Sequence, residues 1–297
     1  MGCRGKDMTG RSTWIAYLLL LPALICLAVF RLYPIAAAVF GSLVTESAIE
    51  PGSQIFVGIR NYLQLFADPI FWQSLWVTLK LNLVINPLQV FLALLLAMMA
   101  NQRFRAISFY RLLFFIPLGV SLPIACILWH IMLDPNSGLL NSLLNLVGIP
   151  SQPFLISQSQ ALWSIVAIAT WKGVSFWMIF LWAGLQNVPR EVLEAATIDG
   201  AGRFRRFLRI TLPLIQRPLL FVLVTDTAVN FLLFVPMFLL TRGGPSYSTN
   251  VLMYEAYKSG FVYGDMGRSL ALVVVLLLLV MVTVLIQFRL FSREAES

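Results

Sequence analysis

Residues 189–213, PREVLEAATIDGAGRFRRFLRITLP, form a polar and basic stretch between two apolar segments that are each long enough to cross a membrane. This stretch predicts two short helices. Pro189 suits the first position of a helix, where its missing N–H costs nothing, and Gly200 supplies the left-handed residue that ends one. After Gly202, apolar residues recur at helical spacing while arginines take the other faces, so we expect the second helix to lie along a surface.

The whole chain has the composition of a membrane protein. Its 297 residues are 59% hydrophobic and only 11% charged, which is too apolar for an ordinary soluble domain. Six charge-poor runs are long enough to span a bilayer: 14–44, 74–100, 108–133, 161–186, 214–240 and 269–288. We therefore predict an all-α membrane protein with six transmembrane helices. Residues 14–291 form the membrane domain, 189–213 its cytoplasmic loop, and 1–13 and 292–297 its cytoplasmic ends.

The distribution of positive charge predicts the orientation. The net charge of +8 could suggest a nucleic-acid partner, but the basic residues cluster beside apolar runs, where membrane topology places them. The predicted spans put 14 basic residues on one side, namely Arg4, Lys6, Arg11, Arg103, Arg105, Arg111, Arg190, Arg203, Arg205, Arg206, Arg209, Arg217, Arg289 and Arg293. Only 4 fall on the other side, namely Arg60, Arg242, Lys258 and Arg268. The positive-inside rule then makes both termini and loop 189–213 cytoplasmic, and we predict no nucleic-acid partner.

The order Glu194-Ala195-Ala196, three residues, Gly200, then Ile210, Leu212 and Pro213 resembles the EAA loop of membrane subunits of binding-protein-dependent ABC importers. Three further blocks are similar to the carbohydrate branch of that family: residues 58–79, residues 113–144 and residues 239–249, the last reading LLTRGGPSYST. Several blocks in the expected order make the resemblance specific, and it covers most of the chain.

The resemblance implies a type I ABC importer permease fold in a bacterial cytoplasmic (inner) membrane, with a sugar, glycoside or polyol derivative as the solute. The loop would be a coupling helix held in a cleft of an ATPase subunit. The residues it implies for ATPase coupling are Glu194, Ala195, Ala196, Asp199, Gly200 and Arg203. The implied partners are a second related permease subunit, an ATPase dimer that binds ATP and Mg²⁺, and an extracytoplasmic solute-binding protein.

Charged and amide side chains inside the predicted spans are the candidates for a substrate pathway. Lys172 and Asp226 both fall near mid-depth of their spans, so they could form an ion pair, because isolated charges in a membrane are costly. Asn230 lies one turn beyond Asp226. Such a pair could equally be structural or line the pathway. Trp171 and Asn86 complete the candidate set.

The sequence lacks the residues that ATP binding, metal binding or catalysis would require. There is no G-x-x-x-x-G-K-[ST] loop and only one histidine, so we predict no P-loop ATP site, no cofactor, no metal site and no catalytic centre in the chain itself. The alternative in another class is a self-sufficient secondary transporter or channel that uses Lys172 and Asp226 for ion coupling. An ATPase-docking loop favours the importer.

Overall fold

A computed structural model describes residues 9–46, 53–102 and 104–295. The predictions that concern residues 1–8, Arg103 and residues 296–297 lie outside the described residues.

The described chain is mostly helical, as predicted. Its helices are α1 (Thr9–Leu27), α2 (Tyr33–Gly41), α3 (Arg60–Ala67), α4 (Pro69–Ala100), α5 (Ile107–Gly119), α6 (Leu122–Met132), α7 (Leu139–Leu146), α8 (Ala161–Gln186), α9 (Arg190–Ile198), α10 (Arg203–Arg206), α11 (Leu212–Leu214), α12 (Gln216–Phe231), α13 (Leu252–Tyr257) and α14 (Met266–Ala295). Short π-helical turns occupy Ala28–Leu32, Phe207–Thr211, Met237–Thr241 and Lys258–Val262, and a 3-10 turn occupies Phe154–Ile156.

Four uninterrupted helical stretches are long and apolar enough to cross a membrane: Tyr17–Gly41, Pro69–Ala100, Ala161–Gln186 and Met266–Phe291. Two further pairs qualify only when each bent pair counts as one span. These are α5 with α6, bent by 100°, and the segment Arg203–Leu214 with α12, bent by 71°. The described residues therefore contain four to six candidate spans, and the predicted six correspond to the upper figure.

The third and fifth predicted spans are not the continuous helices that hydropathy indicated. The third breaks at Val120 and Ser121, which have extended backbones, and Pro123 restarts the helix in the first turn of α6. Proline is tolerated there because the first N–H groups of a helix have no partner in the helix. In the fifth, α12 ends at Phe231 and helical backbone resumes only at Val235. Hydropathy counts apolar residues and does not register such breaks.

The first predicted span continues as a helix past Arg31. The π-helical turn Ala28–Leu32 joins α1 to α2 with helical backbone on both sides. Pro34 lies just after the turn and lacks the N–H that an α-helix would use, so a locally wider turn accommodates it.

The segment between α2 and α3 contains a small departure from an all-α chain. Strands β1 (Val44–Glu46) and β2 (Gln54–Phe56) pair antiparallel, with Thr45 opposite Ile55. Asp68 then starts α4, because its carboxylate accepts a hydrogen bond from the backbone N–H of Ile70 at 2.8 Å and so caps the helix.

Helix α4 runs through the centre of the bundle, with α8 along most of its length and α12 beside it. Small residues let the helices approach closely. A Cβ atom on Gly184 of α8 would lie 2.8 Å from the Cγ atom of the Pro218 ring in α12. The chain reversals give the bundle two ends. One carries α9 and α10, together with the ends of α4 and α8, and the other carries Asp68, α13 and the start of α14.

Candidate functional site

The loop 189–213 folds as two helical pieces, as predicted. Pro189 is the N-cap residue of α9 rather than its first helical residue. Gly200 has a φ of +76°, the left-handed conformation that favours glycine, and it follows the last turn of α9. The N–H of Ala201 donates to the carbonyl of Ala196 at 2.9 Å, which satisfies one of the carbonyls left free at the helix end.

The two faces of α9 differ. Leu193 packs against the core cluster that contains Leu185 and Val188, so this face anchors the loop to the bundle. Glu194 and Ala195 are exposed on the other side. Asp199 and Arg203 are also exposed. Five of the six predicted coupling residues are therefore exposed to solvent, namely Glu194, Ala195, Asp199, Gly200 and Arg203, and Gly200 also shapes the turn.

Ala196 departs from the prediction for the coupling residues. It is only 7% exposed, so its small side chain serves packing within the chain and does not face a partner. Ile198 and Phe204, by contrast, are 86% and 75% exposed. Two bare apolar side chains beside exposed charges are typical of a protein interface. Ile198 was missed because a lone isoleucine in a helix usually predicts a buried position.

The polar residues predicted for the pathway converge on a cavity in the middle of the bundle. Lys172, Asp226 and Asn230 line a cavity of about 240 Å³, together with Gln89, Trp177 and other residues of α4, α6, α8 and α12. Asn86 lines a neighbouring cavity of about 480 Å³ on the other side of α4. Gln89 and Trp177 were missed as candidates, since an amide next to apolar residues and one tryptophan among several give a weak signal.

Asn230 is the centre of the buried polar network. Its Nδ2 amide donates to Asn86 Oδ1 at 2.8 Å, to Gln89 Oε1 at 3.0 Å and to Asp226 Oδ1 at 3.0 Å. The Nε2 amide of Gln89 donates in turn to the carbonyl of Ala169 in α8 at 2.9 Å. The network therefore links α4, α8 and α12 through groups that would otherwise be costly to bury.

Lys172 and Asp226 do not form the predicted ion pair. The Lys172 ammonium donates to the carbonyls of Pro117 and Leu118 at 2.8 and 3.0 Å. These carbonyls belong to the last turn of α5, where the break before α6 leaves them without helical partners. A cation at a helix C-terminus is also favoured by the helix dipole. The prediction was wrong because it could not foresee that break.

Asp226 is completely buried. Its side chain is 0% exposed although the residue lines the central cavity, and among the described residues its Oδ2 atom meets no donor at ordinary hydrogen-bond geometry, with the Trp177 side chain as a neighbour of the carboxylate. Trp171 does not line this cavity. Its ring packs edge-on against Trp129 at 5.7 Å, and its role in the substrate pathway stays a prediction.

A charged cluster at the other end of the bundle was not predicted. Arg268 bonds the carboxylates of Asp68 and Glu255, and Lys258 lies 2.8 Å from the other oxygen of Glu255. The same oxygen accepts from Asn250 at 2.8 Å. Glu255 is only 2% exposed. Because buried charges require partners, this cluster fixes α13 and α14 against the start of α4. The isolated charges at distant positions gave no sequence signal for it.

Comparison with known proteins identifies relatives along nearly the whole chain. The family of binding-protein-dependent transport system inner membrane components matches residues 89–295. The sn-glycerol-3-phosphate transport system permease protein UgpA of Salmonella choleraesuis (strain SC-B67) is 34% identical over 280 residues, which is 94% of each chain. The UgpA of Yersinia pestis bv. Antiqua (strain Antiqua) is 35% identical over 283 residues, or 95% of each chain.

Solved structures share the fold. One is a bacterial alginate ABC transporter in complex with an alginate pentasaccharide-bound periplasmic protein. Its matching chain has a TM-score of 0.80 and 21% identity, with 97% of both chains covered. Another is the MetNI methionine ABC transporter in an inward-facing conformation, with a TM-score of 0.53, 16% identity, and coverage of 76% of this chain and 98% of that one.

Proposed function

Because the chain belongs to the family of binding-protein-dependent transport system inner membrane components, we propose that it forms half of the translocation pathway of an ATP-driven importer and couples to its ATPase through loop 189–213. The chain is a multi-pass membrane protein and a transport permease. Its proposed location is the cytoplasmic (inner) membrane of a bacterium, with both termini and the loop in the cytoplasm.

The exposed face of the loop carries this proposal. Glu194 and Ala195 are exposed on a helix whose opposite face is fixed to the bundle by Leu193. Ile198 adds an apolar contact. A short helix that exposes a carboxylate and apolar side chains can bind a partner and transmit its movement to the two spans that the loop joins. A loop that only connects two spans needs no exposed apolar surface.

The remaining partners follow from this role. In the proposed assembly two ATPase subunits bind ATP and Mg²⁺, so that this chain needs no nucleotide site. A second, related permease supplies the other half of the pathway, and an extracytoplasmic binding protein delivers the solute. The similarity in fold to ABC transporter chains, one of them solved with a periplasmic protein, supports this set of partners.

The proposed solute is a sugar, a glycoside or a polyol derivative. The similarity to permeases for sn-glycerol-3-phosphate favours a small polyol derivative within that class. The central cavity is lined by Asp226, whose carboxylate can accept a hydrogen bond from a hydroxyl, and by the amide side chain of Gln89. Asp226, Asn230 and Lys172 are therefore the proposed pathway residues, with Asn86 in a supporting position through its bond to Asn230.

The secondary-transporter alternative is not favoured. It relied on Lys172 and Asp226 as an ion-coupling pair, and Lys172 instead caps α5. Among the described residues no group of three or more histidine, cysteine, aspartate or glutamate side chains could hold a metal ion.

The test compares Glu194→Lys with Glu191→Lys, which makes the same charge change one turn earlier in the same exposed helix. Each variant is reconstituted with its ATPase and binding protein, and solute-stimulated ATP hydrolysis is measured. Removing one partner of a charged pair at an interface costs about 2–5 kcal/mol. We therefore expect the solute-stimulated rate of ATP hydrolysis to fall at least ten-fold for Glu194→Lys and much less for Glu191→Lys. Equal, undiminished stimulation in both variants would contradict the proposal.

A further inference from the structure

Two neighbouring cavities open behind the coupling loop, between α9 and the bundle. The first has a volume of about 680 Å³ and the second about 430 Å³. They have five lining residues in common: Asn101, Gln102, Leu185, Val188 and Leu193. They therefore adjoin along these residues, and we name the two together the basic cleft, bounded by the end of α4, the end of α8 and the inner face of α9.

Arginines supply all of the formal charge in this cleft. Arg111 and Arg190 line the first cavity, and Arg203 and Arg206 line the second. Among the described residues, no aspartate or glutamate lines either cavity. The carboxylates of the same loop, on Glu191, Glu194 and Asp199, are exposed elsewhere on its surface. In the part of the chain that the structure describes, every ion pair lies at the opposite end of the bundle.

The helix dipoles reduce this positive charge but do not cancel it. The C-termini of α4 and α8 each contribute about half a negative charge, and the N-terminus of α9 contributes about half a positive one. Arg111 offsets the first of these, because its Nε and Nη2 atoms donate to the last carbonyl of α4, at Ala100, at 3.0 and 2.8 Å. Arg206 bonds the hydroxyl of Thr197. The cleft stays strongly electropositive.

The surroundings of the cleft are those of a membrane boundary. Apolar side chains of α5, the helix that carries Arg111, are exposed along its length, among them Phe109, Leu112 and Ile116. The deep side of the cleft is apolar as well, through Leu185, Val188 and Leu193. An anionic group held by the arginines would thus have an apolar surface beside it for attached acyl chains.

We propose that the basic cleft binds the phosphate headgroup of an anionic membrane lipid, which would lie between the coupling loop and the bundle. The guanidinium groups of Arg190, Arg203 and Arg206 match the phosphate oxygens through charge-assisted hydrogen bonds. Basic pockets at the ends of membrane helices are a recognised setting for such headgroups. Arg203 is also a proposed coupling residue, whereas Arg190 and Arg206 are not, so the test below changes only Arg190 and Arg206.

The test measures lipid retention by the full-length chain alone, purified in detergent, by native mass spectrometry after addition of phosphatidylglycerol or phosphatidylcholine. The double variant Arg190→Gln, Arg206→Gln is compared with Arg205→Gln, Arg209→Gln, which removes the same charge from exposed arginines of the same loop that do not line the cleft. Size-exclusion profiles establish that both variants are folded.

We expect phosphatidylglycerol to be retained preferentially over phosphatidylcholine, and the cleft variant to lose this retention by on the order of ten-fold, while the control loses less than about two-fold. A loss of equal size in both variants would show that the loop attracts lipid by its overall charge and would overturn the proposal, as would retention that neither variant changes. If phosphatidylglycerol is retained only weakly and millimolar inorganic phosphate displaces it, the ligand of these arginines is free phosphate, and the lipid proposal is overturned. Displacement of the lipid by added ATPase subunit would assign the cleft to that protein and also overturn the proposal.

Discussion

Replacing Asn230 with leucine should weaken the bundle where α12 meets α4. Leucine has a similar size but no amide, so Asn86 Oδ1 and Gln89 Oε1 lose their donor in a buried region. Interhelical hydrogen bonds in membranes contribute about 0.6 kcal/mol on average and up to about 1.7 kcal/mol. Two such bonds predict a loss of about 1–3 kcal/mol in the free energy of unfolding, and the Asp226 Oδ1 atom loses a donor within its own helix as well.

The assay is reversible unfolding of the purified chain in detergent mixtures of increasing denaturing strength, followed by circular dichroism. Thr225→Val is the matched control in the same helix. The Thr225 hydroxyl is exposed and donates only to the carbonyl of Phe221 at 2.7 Å, so its removal should change the free energy of unfolding by less than about 0.5 kcal/mol. If Asn230→Leu is no less stable than Thr225→Val, the polar network does not hold α12 to α4.

Gly184→Ala should destabilise the chain by about 1–3 kcal/mol, because the new methyl group would lie within 3 Å of the Pro218 ring. The control Gly119→Ala should not destabilise it, because the methyl group there meets no atom within 4 Å. Equal unfolding midpoints for the two variants would contradict the close approach of α8 and α12. Lys172→Met should lower the free energy of unfolding by about 1–3 kcal/mol for each terminal carbonyl of α5 that loses its hydrogen bond. Adding Asp226→Asn should not restore this stability. Full rescue in the double variant would show that Lys172 and Asp226 form an ion pair after all. In intact cells, a membrane-impermeant thiol reagent should label Ser137→Cys but not Thr197→Cys, and labelling of Thr197→Cys alone would reverse the predicted orientation.

Local sequence signals predicted the backbone of loop 189–213. Gly200 is, as predicted, a helix-ending glycine with a positive φ. This conformation is decided within a few residues along the chain, so the pattern contains the information. The family resemblance extended the prediction to the fold, and the match over residues 89–295 confirms that family.

Interactions between distant segments could not be predicted in the same way. The sequence shows that Lys172 lies near mid-depth, but its partners at Pro117 and Leu118 exist only because α5 ends there. Arg268 bonds both Glu255 and Asp68, and Asp68 lies 200 positions away in the chain. Ala196 appeared equivalent to its exposed neighbour Ala195, and only the packing of Leu193 decides which of them is buried.

The most direct test of ATPase coupling is a photo-crosslink from the exposed face of the loop. Benzoylphenylalanine replaces Ala195, which is exposed on α9, or Leu146, which is 82% exposed outside the loop, at the end of α7. After illumination of membranes that contain the complete importer, adducts are identified by mass spectrometry. Position 195 should yield an adduct with an ATP-binding subunit and position 146 should not. The absence of an ATPase adduct from position 195, or equal yields from both positions, would contradict coupling through this loop.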